Sequence, residues 1–258
     1  MEQRTLAESE AAEFEEFKRR RREMEIELTL KKLQVDASRR EVDRHALHSA
    51  CELSKKLNAY ALVVSPVNVS YARRRMGESS VLLACTVGGT GESLIPVKKK
   101  EAKRAYRQGA RVIRLIPCYS ALLSGNASYL KREVKKLRKA TKKCTLVLSL
   151  DDHALSREEI GLGITAAIGG KADAVSVRGE AELVVEAVKK SAGRVRVEAS
   201  GVQNAEQLRM LLRAGAEHAA TGCGEEISEE LYGFVHKDPD IKTGAPNGEI
   251  AKKNETAR

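Results

Sequence analysis

The sequence predicts an α/β protein built as a TIM (βα)₈ barrel, with an extra N-terminal helix and a polar C-terminal tail. Short apolar, β-rich runs recur eight times along the 258 residues, and amphipathic helical patterns lie between them. Strands that alternate with helices form parallel sheets, and eight repeats at this length favour closure into a barrel. An open doubly wound sheet is the alternative, but no G-x-G-x-x-G pattern follows the first strand run.

The first predicted element, within residues 1–32, is a charge-dense helix that precedes the barrel. Phe14, Phe17, Met24 and Leu28 follow helical spacing and share one face. We expect this thin apolar stripe to pack on the barrel or on a second subunit, which leaves a homodimer open. The narrow stripe argues against a membrane-binding helix.

The barrel is predicted to occupy residues 33–235, followed by a polar tail at 236–258. Its strand runs are LQVDA (33–37), ALVVSP (61–66), VLLACTVG (81–88), VIRLIPC (112–118), TLVLSL (145–150), ADAVSVR (172–178), RVRVEAS (194–200) and HAATG (218–222). Helical patterns between them include 40–57, 101–110, 126–140, 157–170, 181–192 and 204–216. Active sites of such barrels lie where strands end and loops begin. The residues at those ends are Asp36, Ser65, Thr86, Arg114, Ser149, Ser176, Glu198 and Thr221.

Composition argues against several classes of function. Trp is absent and aromatic residues are only 3%, so there is no stacking platform for single-stranded nucleic acid. The five cysteines are odd in number and form no C-x-x-C pair, which favours a reducing cytoplasm over a disulfide scaffold or a zinc site. The acidic N-terminus lacks the apolar core of a secretory signal, and no apolar run is long enough to span a bilayer.

The distribution of the histidines along the chain predicts no binding site for a metal ion or another cofactor. They lie on different predicted elements, and only the first two share a helix. They are His45, His48, His153, His218 and His236. A metal site needs ligands that converge, which this distribution does not predict.

Several motifs occur in the order and spacing of the deoxyribose-phosphate aldolase family. They are ALVVSP, LLACTVGG, GARVIRLIPCYSALLSGN, GKADAVSVRG, VEASGV and AGAEHAATG. The chain therefore resembles this family over roughly residues 33–235, with GARVIRLIPCYSALLSGN as the most specific segment. The resemblance implies a TIM barrel and, in ordinary members, a class I aldolase. Such an enzyme cleaves 2-deoxyribose 5-phosphate to glyceraldehyde 3-phosphate and acetaldehyde through a lysine Schiff base.

The positions that match the family's catalytic residues have changed in type. The Schiff-base lysine ends an A-D-F-[IV]-K motif, and Ser176 takes its place in ADAVS. The family's strand-four aspartate matches Arg114, and its second lysine, which opens K-A-S-G-G, matches Glu198. Because both charges are inverted, we expect Arg114 and Glu198 to form a salt bridge across the former active site.

No strand run contains a lysine that could replace the missing amine. Lys171 precedes its strand, at the wrong end of the barrel. Lys98, in or near the helix after the third strand, is the remaining candidate for a relocated nucleophile.

The family's phosphate-binding residues are also only partly present. Gly179 and Gly201 remain, and the paired-serine positions read Gly222 and Cys223. The resemblance therefore implies weak anion binding at most, through backbone amides of Gly179, Gly201 and Gly222. Asp36 matches the family's strand-one acid.

Positive charge is concentrated between Leu94 and Lys143, which contain sixteen Lys or Arg and two Glu. Cations share one face of the helix after the third strand and one face of the helix after the fourth. These residues are Lys100, Lys103, Arg104, Arg107, Arg132, Lys135, Lys136, Lys139 and Lys143. We expect the two faces to merge into a basic patch for an acidic partner such as an actin filament. The alternative is a solvated face without a partner.

The sequence thus predicts a deoxyribose-phosphate aldolase-like protein that is inactive on 2-deoxyribose 5-phosphate and binds or scaffolds through its basic surface. Two alternatives stay open. One is an active class I aldolase with a relocated lysine. The other is a sensor that binds a sugar phosphate without turning it over.

Overall fold

The computed structural model describes residues 2–236, with side chains over residues 13–233. Eight parallel strands form a closed barrel in which each strand pairs with the next and β8 pairs with β1. The strands are β1 (Leu33–Ala37), β2 (Ala61–Val64), β3 (Leu82–Val87), β4 (Val112–Leu115), β5 (Thr145–Leu150), β6 (Ala174–Arg178), β7 (Arg196–Ser200) and β8 (His218–Thr221). Each lies within a predicted run, so the predicted TIM barrel is confirmed.

Helices precede the barrel and follow its strands. They are α1 (Glu2–Leu30), α2 (Arg44–Lys56), α3 (Val69–Met76), α4 (Ile95–Arg107), α5 (Tyr119–Leu123), α6 (Ala127–Ala140), α7 (Arg157–Gly170), α8 (Ala181–Ser191), α9 (Ala205–Arg213) and α10 (Gly224–His236). The predicted tail, 236–258, lies outside the described residues except for His236, which ends α10. Among the helices described, none combines the length and apolar character needed to cross a membrane.

Capping residues decide where several helices begin. The helical pattern at 40–57 becomes helix only from Arg44, because the Asp43 carboxylate accepts a hydrogen bond from the Ala46 N–H at 2.7 Å. Ser156 and Glu159 form a capping box at the start of α7. The helix after β3 begins before its predicted start at 101, since Pro96 lies in the first turn of α4.

The barrel interior is lined by unusually small side chains. Large aliphatic residues of the strands point outward and pack against the helices. The apolar residues that point inward and are fully buried are Ala61, Val63, Ala84, Val112, Val147 and Ala174. Bulky branched residues normally fill such interiors in layers, so this barrel has room for additional side chains at its centre.

Helix α1 docks on the barrel through a face that the sequence analysis did not identify. Ile26 and Leu30 are buried in the main core, where α1 packs against α10. Phe14, Phe17, Met24 and Leu28 remain 55–62% exposed. Of the two alternatives expected for this stripe, packing on the barrel is therefore wrong, and packing on a second subunit stays a prediction. The physical reason is that Ile26 and Leu30 lie on the opposite side of the helix.

Candidate active site

Four polar side chains from different strands meet at the barrel centre. Alternation along each strand turns Gln34 of β1, Arg114 of β4, Ser176 of β6 and Glu198 of β7 inward, and all four are buried. Ser176 pairs in register with Glu198 on the neighbouring strand. The small interior residues leave the space that these longer side chains occupy.

Arg114 and Glu198 form the predicted salt bridge. Arg114 Nη1 lies 3.1 Å from Glu198 Oε2, and the two side chains are 5% and 1% exposed. Gln34 bridges the pair, because its Nε2 donates to Glu198 Oε2 at 3.0 Å and its Oε1 accepts from Arg114 Nη1 at 2.9 Å. The expected ion pair across the barrel is confirmed, and Gln34 was not foreseen.

The Ser176 hydroxyl is held between Arg114 and Asp151. It accepts a hydrogen bond from Arg114 Nη2 at 2.7 Å and donates to Asp151 Oδ2 at 3.3 Å. Ser200 also donates to Asp151 Oδ2, at 2.7 Å, and Arg114 Nη2 lies 3.7 Å from the same oxygen. Arg114 thus interacts with two carboxylates, and the hydroxyl already has both a donor and an acceptor.

The second oxygen of Glu198 faces His218. Glu198 Oε1 and His218 Nδ1 are 3.7 Å apart, which is too long for a hydrogen bond, and each of these buried atoms has no hydrogen-bond partner. His218 stacks on Tyr60, with ring centroids 3.5 Å apart.

The ionisation of Glu198 follows from these contacts. Burial alone raises the pKa of its carboxyl, but the neighbouring His218, the charge of Arg114 and the N–H of Gln34 together lower it below the ordinary value. Burial also raises the pKa of the Tyr60 phenol, and the Glu198 charge adds to that increase. Glu198 is therefore held as a carboxylate, the partner that the buried guanidinium requires.

The two lysines considered as substitutes are placed elsewhere. Lys98 lies on α4 and is the only fully buried lysine among the described side chains. It donates to Gly91 O at 2.6 Å, Ile116 O at 2.9 Å and Glu133 Oε1 at 2.7 Å. Lys171 is exposed at the end of α7, before β6 begins. Neither is a hydrogen-bond partner of Ser176, whose partners are Arg114 and Asp151.

The other residues at the strand ends make mostly local contacts. Asp36 Oδ1 accepts from the N–H and hydroxyl of Ser38 at 2.9 and 2.7 Å. Ser65 accepts from Asn68 Nδ2 at 3.1 Å. Thr221 donates to Val202 O at 2.6 Å. Thr86 is half-buried and Ser149 is buried. These positions surround the mouth of the barrel without joining the central cluster.

The three glycines assigned to anion binding lie at the mouth, where β6, β7 and β8 end. Gly201 has a φ of +76°, and a Cβ at Gly179 would come within 2.9 Å of Ser200 O. Arg39 approaches Gly222: a Cβ there would lie 3.5 Å from Arg39 Cζ. Sequence reasoning missed Arg39 because it lies in the loop after β1, far from Gly222 along the chain.

The cation-rich segment divides into buried and exposed residues. Lys98 and Arg114 are buried in ion pairs and contribute nothing to the surface. All nine residues of the predicted basic patch are exposed, and α4 packs against α6. A groove between these helices has Leu94, Ile95, Pro96 and Tyr129 in its lining, together with the cations Lys99, Arg132 and Lys136.

The histidines outside the barrel do not assemble. His45 and His153 are exposed, and His48 contacts Arg75. Within the part of the chain that the structure describes, no group of three or more His, Cys, Asp or Glu side chains is placed to hold a metal ion.

The chain is similar to known aldolases. The deoxyribose-phosphate aldolase of Thermus thermophilus is 30% identical over 184 residues, covering 68% of this chain and 84% of that protein. The enzyme of the same name from Mycoplasmoides pirum is 28% identical over 211 residues, covering 77% and 93%. A solved structure of an aldolase called QR15 has a TM-score of 0.76 at 24% identity, covering 81% and 99%. No protein-family model matches the chain.

Replacing one member of the central ion pair tests its role in stability. In Glu198→Gln the buried Arg114 charge loses the nearer of its two carboxylates, so we expect the free energy of unfolding to fall by about 3–5 kcal/mol. Urea denaturation at pH 7 measures this change. The control is Arg114→Met/Glu198→Met, which removes both charges and recovers most of the loss. A Glu198→Gln protein within about 1 kcal/mol of wild type would contradict the assignment.

The pH dependence of the same difference has a defined sign. Because the pKa of Glu198 is lowered in the folded protein, its stabilisation is present above the ordinary value of 4.5 and is lost as the pH falls through the folded value. The difference in free energy of unfolding between wild type and Glu198→Gln, measured by urea denaturation across a pH series, should therefore be constant above pH 4.5. It should shrink as the pH falls below that value.

Proposed function

Because the chain belongs to the deoxyribose-phosphate aldolase family, we propose that it is an aldolase-like protein whose barrel does not form a Schiff base and which acts by binding. The observation that carries this proposal is the environment of Ser176. This residue matches the family's Schiff-base lysine, and its hydroxyl is bonded to Arg114, which is itself paired with Glu198.

The proposal has a direct chemical basis. An imine forms only when an amine with a free electron pair attacks the sugar carbonyl, and the protonated imine then serves as the electron sink for carbon–carbon cleavage. A serine hydroxyl cannot form that intermediate. The arginine guanidinium stays protonated in proteins and glutamate carries no amine, so neither Arg114 nor Glu198 can supply the nucleophile. The three residues are instead joined through Arg114, which donates to both Ser176 and Glu198.

An active class I aldolase with a relocated lysine is the alternative, and family membership is equally consistent with it. Lys98 is the residue that this alternative would need, since it is the buried lysine near the barrel. Its ammonium group already uses all three donors, one of them on the Glu133 carboxylate. To attack a carbonyl the amine would need a free electron pair. The buried Glu133 carboxylate would then lose its cation and keep only the Cys118 N–H at 3.1 Å, which is costly.

A sugar-phosphate sensor is a third candidate, supported by Arg39. Its guanidinium lies against Gly222, beside the loop that matches part of the family's phosphate site. Arginine recognises phosphate through paired N–H donors, so weak anion binding can persist where catalysis is lost.

The basic surface supports a binding role with an acidic protein. Eight of the nine exposed cations lie on α4 and α6, which pack against each other, whereas Lys143, predicted on the same helix face, lies in the turn after α6. Leu94 and Val97 beside them are 69% and 54% exposed, so the surface also offers apolar contacts. We propose an acidic protein surface as the partner, with an actin filament as the first to test. Nucleic acid is a less favoured partner, because the chain has few aromatic side chains on which bases could stack.

Reductive trapping tests the loss of Schiff-base chemistry. Wild-type protein incubated with 2-deoxyribose 5-phosphate and borohydride should show no lysine labelled above the level of exposed lysines, as measured by peptide mass spectrometry. The positive control is Ser176→Lys/Arg114→Asp/Glu198→Lys, which restores the family's residue types and should gain a label at position 176.

Stoichiometric labelling of Lys98 in the wild type would overturn the proposal in favour of the active aldolase. Thermal stabilisation by 2-deoxyribose 5-phosphate without labelling, reduced in Arg39→Ala, would support the sensor.

Co-sedimentation with actin filaments tests the basic surface. Lys136→Glu/Lys139→Glu should weaken binding by tenfold or more, roughly the effect of two lost charge contacts at low salt. The matched control is Lys189→Glu/Lys190→Glu on α8, which makes the same change in net charge elsewhere. Binding that is insensitive to salt, or equal loss in both variants, would argue against this surface.

A further inference from the structure

Helix α1 presents an apolar stripe that lies mostly outside its contact with the barrel, although Leu28 borders a groove that is also lined by Leu212 and Leu231. Phe14, Phe17, Met24 and Leu28 are 57%, 62%, 56% and 55% exposed. The helix docks on the barrel near its C-terminal end, through Ile26 and Leu30. Positions 26 and 28 are about 200° apart around a helix, so the stripe faces away from the docking side.

The part of α1 before this docking region needs another source of stability. At about 1.5 Å per residue, the 29 residues of α1 form a rod roughly 43 Å long. Its described ion pairs, including Arg20 with Glu16 and Arg21 with Glu25, are exposed pairs within the helix. Such pairs stabilise a helix only weakly, and most helical stability in proteins comes from packing an apolar face.

The stripe has the spacing of a coiled-coil seam. Phe14, Phe17, Arg21, Met24 and Leu28 are separated by three, four, three and four residues, the a and d positions of a heptad repeat. Four of these five positions are apolar, and Arg21 is the exception. A seam of this kind packs against another helix. The charges along α1 indicate the identity and the orientation of that helix.

Charge is distributed unevenly along α1. Residues 2–16 contain six Glu and one Arg, whereas residues 18–22 are all Lys or Arg. A parallel pair of α1 helices would place each basic block against itself. An antiparallel pair would place it against the acidic half of the other helix, which is favourable.

We propose that α1 is a dimerisation element that pairs antiparallel with α1 of a second copy of this chain. In the register that fits best, Phe14 of each copy lies opposite Phe17 of the other. The same register places Arg21 opposite the position of Glu10, and it brings Arg20 diagonally across from Glu13, both at positions that flank the seam. Each pairing occurs twice, because such an interface is related by a twofold axis.

Neighbouring registers lose these matches. A shift of one heptad in one direction places Phe17 opposite Arg21, and a shift in the other places Phe14 opposite Glu10. Both separate the two phenylalanines and bury a charged residue against an aromatic ring. The antiparallel register is therefore specified by residue type along the stripe, independently of what the barrel does.

Sedimentation velocity of the full chain over a concentration series tests the proposal. The wild type should sediment as a dimer at high concentration and dissociate to monomer on dilution. Phe14→Ser/Phe17→Ser should raise the dimer Kd by more than about a hundredfold, since four buried rings are lost. The matched control is Arg19→Ser/Glu23→Ser, on the opposite face, which removes an exposed pair at 3.8 Å and should leave the dimer intact.

Charge reversal tests the antiparallel register. Arg20→Glu alone and Glu13→Arg alone should each weaken the dimer, and the two together should restore it. A melting temperature within a degree of wild type shows that each barrel is folded. A wild-type chain that stays monomeric at all concentrations would overturn the proposal. So would a dimer that survives loss of both phenylalanines, or charge-reversed variants whose effects do not compensate.

Discussion

The ion pair between Arg114 and Glu198 determines the character of the barrel interior. The inward-facing residues around it are alanine and valine, too small to fill the space that bulky branched residues usually occupy. A guanidinium in that space must be paired, because an isolated buried charge is strongly destabilising. The carboxylate of Glu198, the amide of Gln34 and the hydroxyl of Ser176 meet that requirement. The residues predicted to match the family's catalytic positions thus support one another as structural partners.

A second buried ion pair organises the loops beside the barrel mouth. Lys98 of α4 bonds to Glu133 of α6 and to carbonyls of Gly91 and Ile116, in the loops after β3 and β4. The same two helices expose cations on their outer faces. Helical periodicity therefore separates two roles for lysine on one element. One residue joins two loops and a neighbouring helix, and the others create a positively charged surface.

The sequence allowed the fold to be predicted because each strand run is short, apolar and bounded by a helical pattern. It also allowed the Arg114–Glu198 pair to be predicted, since two inverted charges at positions that are neighbours in the family preserve attraction. Gln34 and Asp151 were missed. Their inward direction depends on alternation within β1 and just after β5, and neither matches a position of the family that had been considered.

For α1, only the expectation that the stripe packs on the barrel failed, and for a different reason. Periodicity identified the stripe from Phe14 to Leu28, but it cannot indicate which face of a helix meets the barrel. Ile26 and Leu30 make that contact because they lie where the helix joins β1, and the chain direction brings them against α10. Tertiary packing thus decided between two apolar faces that the sequence left equivalent.

Turnover of 2-deoxyribose 5-phosphate tests most directly whether this barrel has exchanged an imine-forming lysine for a structural ion pair. The release of acetaldehyde by purified wild-type protein should equal that of a buffer blank, while an active deoxyribose-phosphate aldolase in the same assay gives product. Acetaldehyde release that scales with the concentration of this protein, and is abolished by Lys98→Met, would contradict the proposal that this barrel forms no Schiff base.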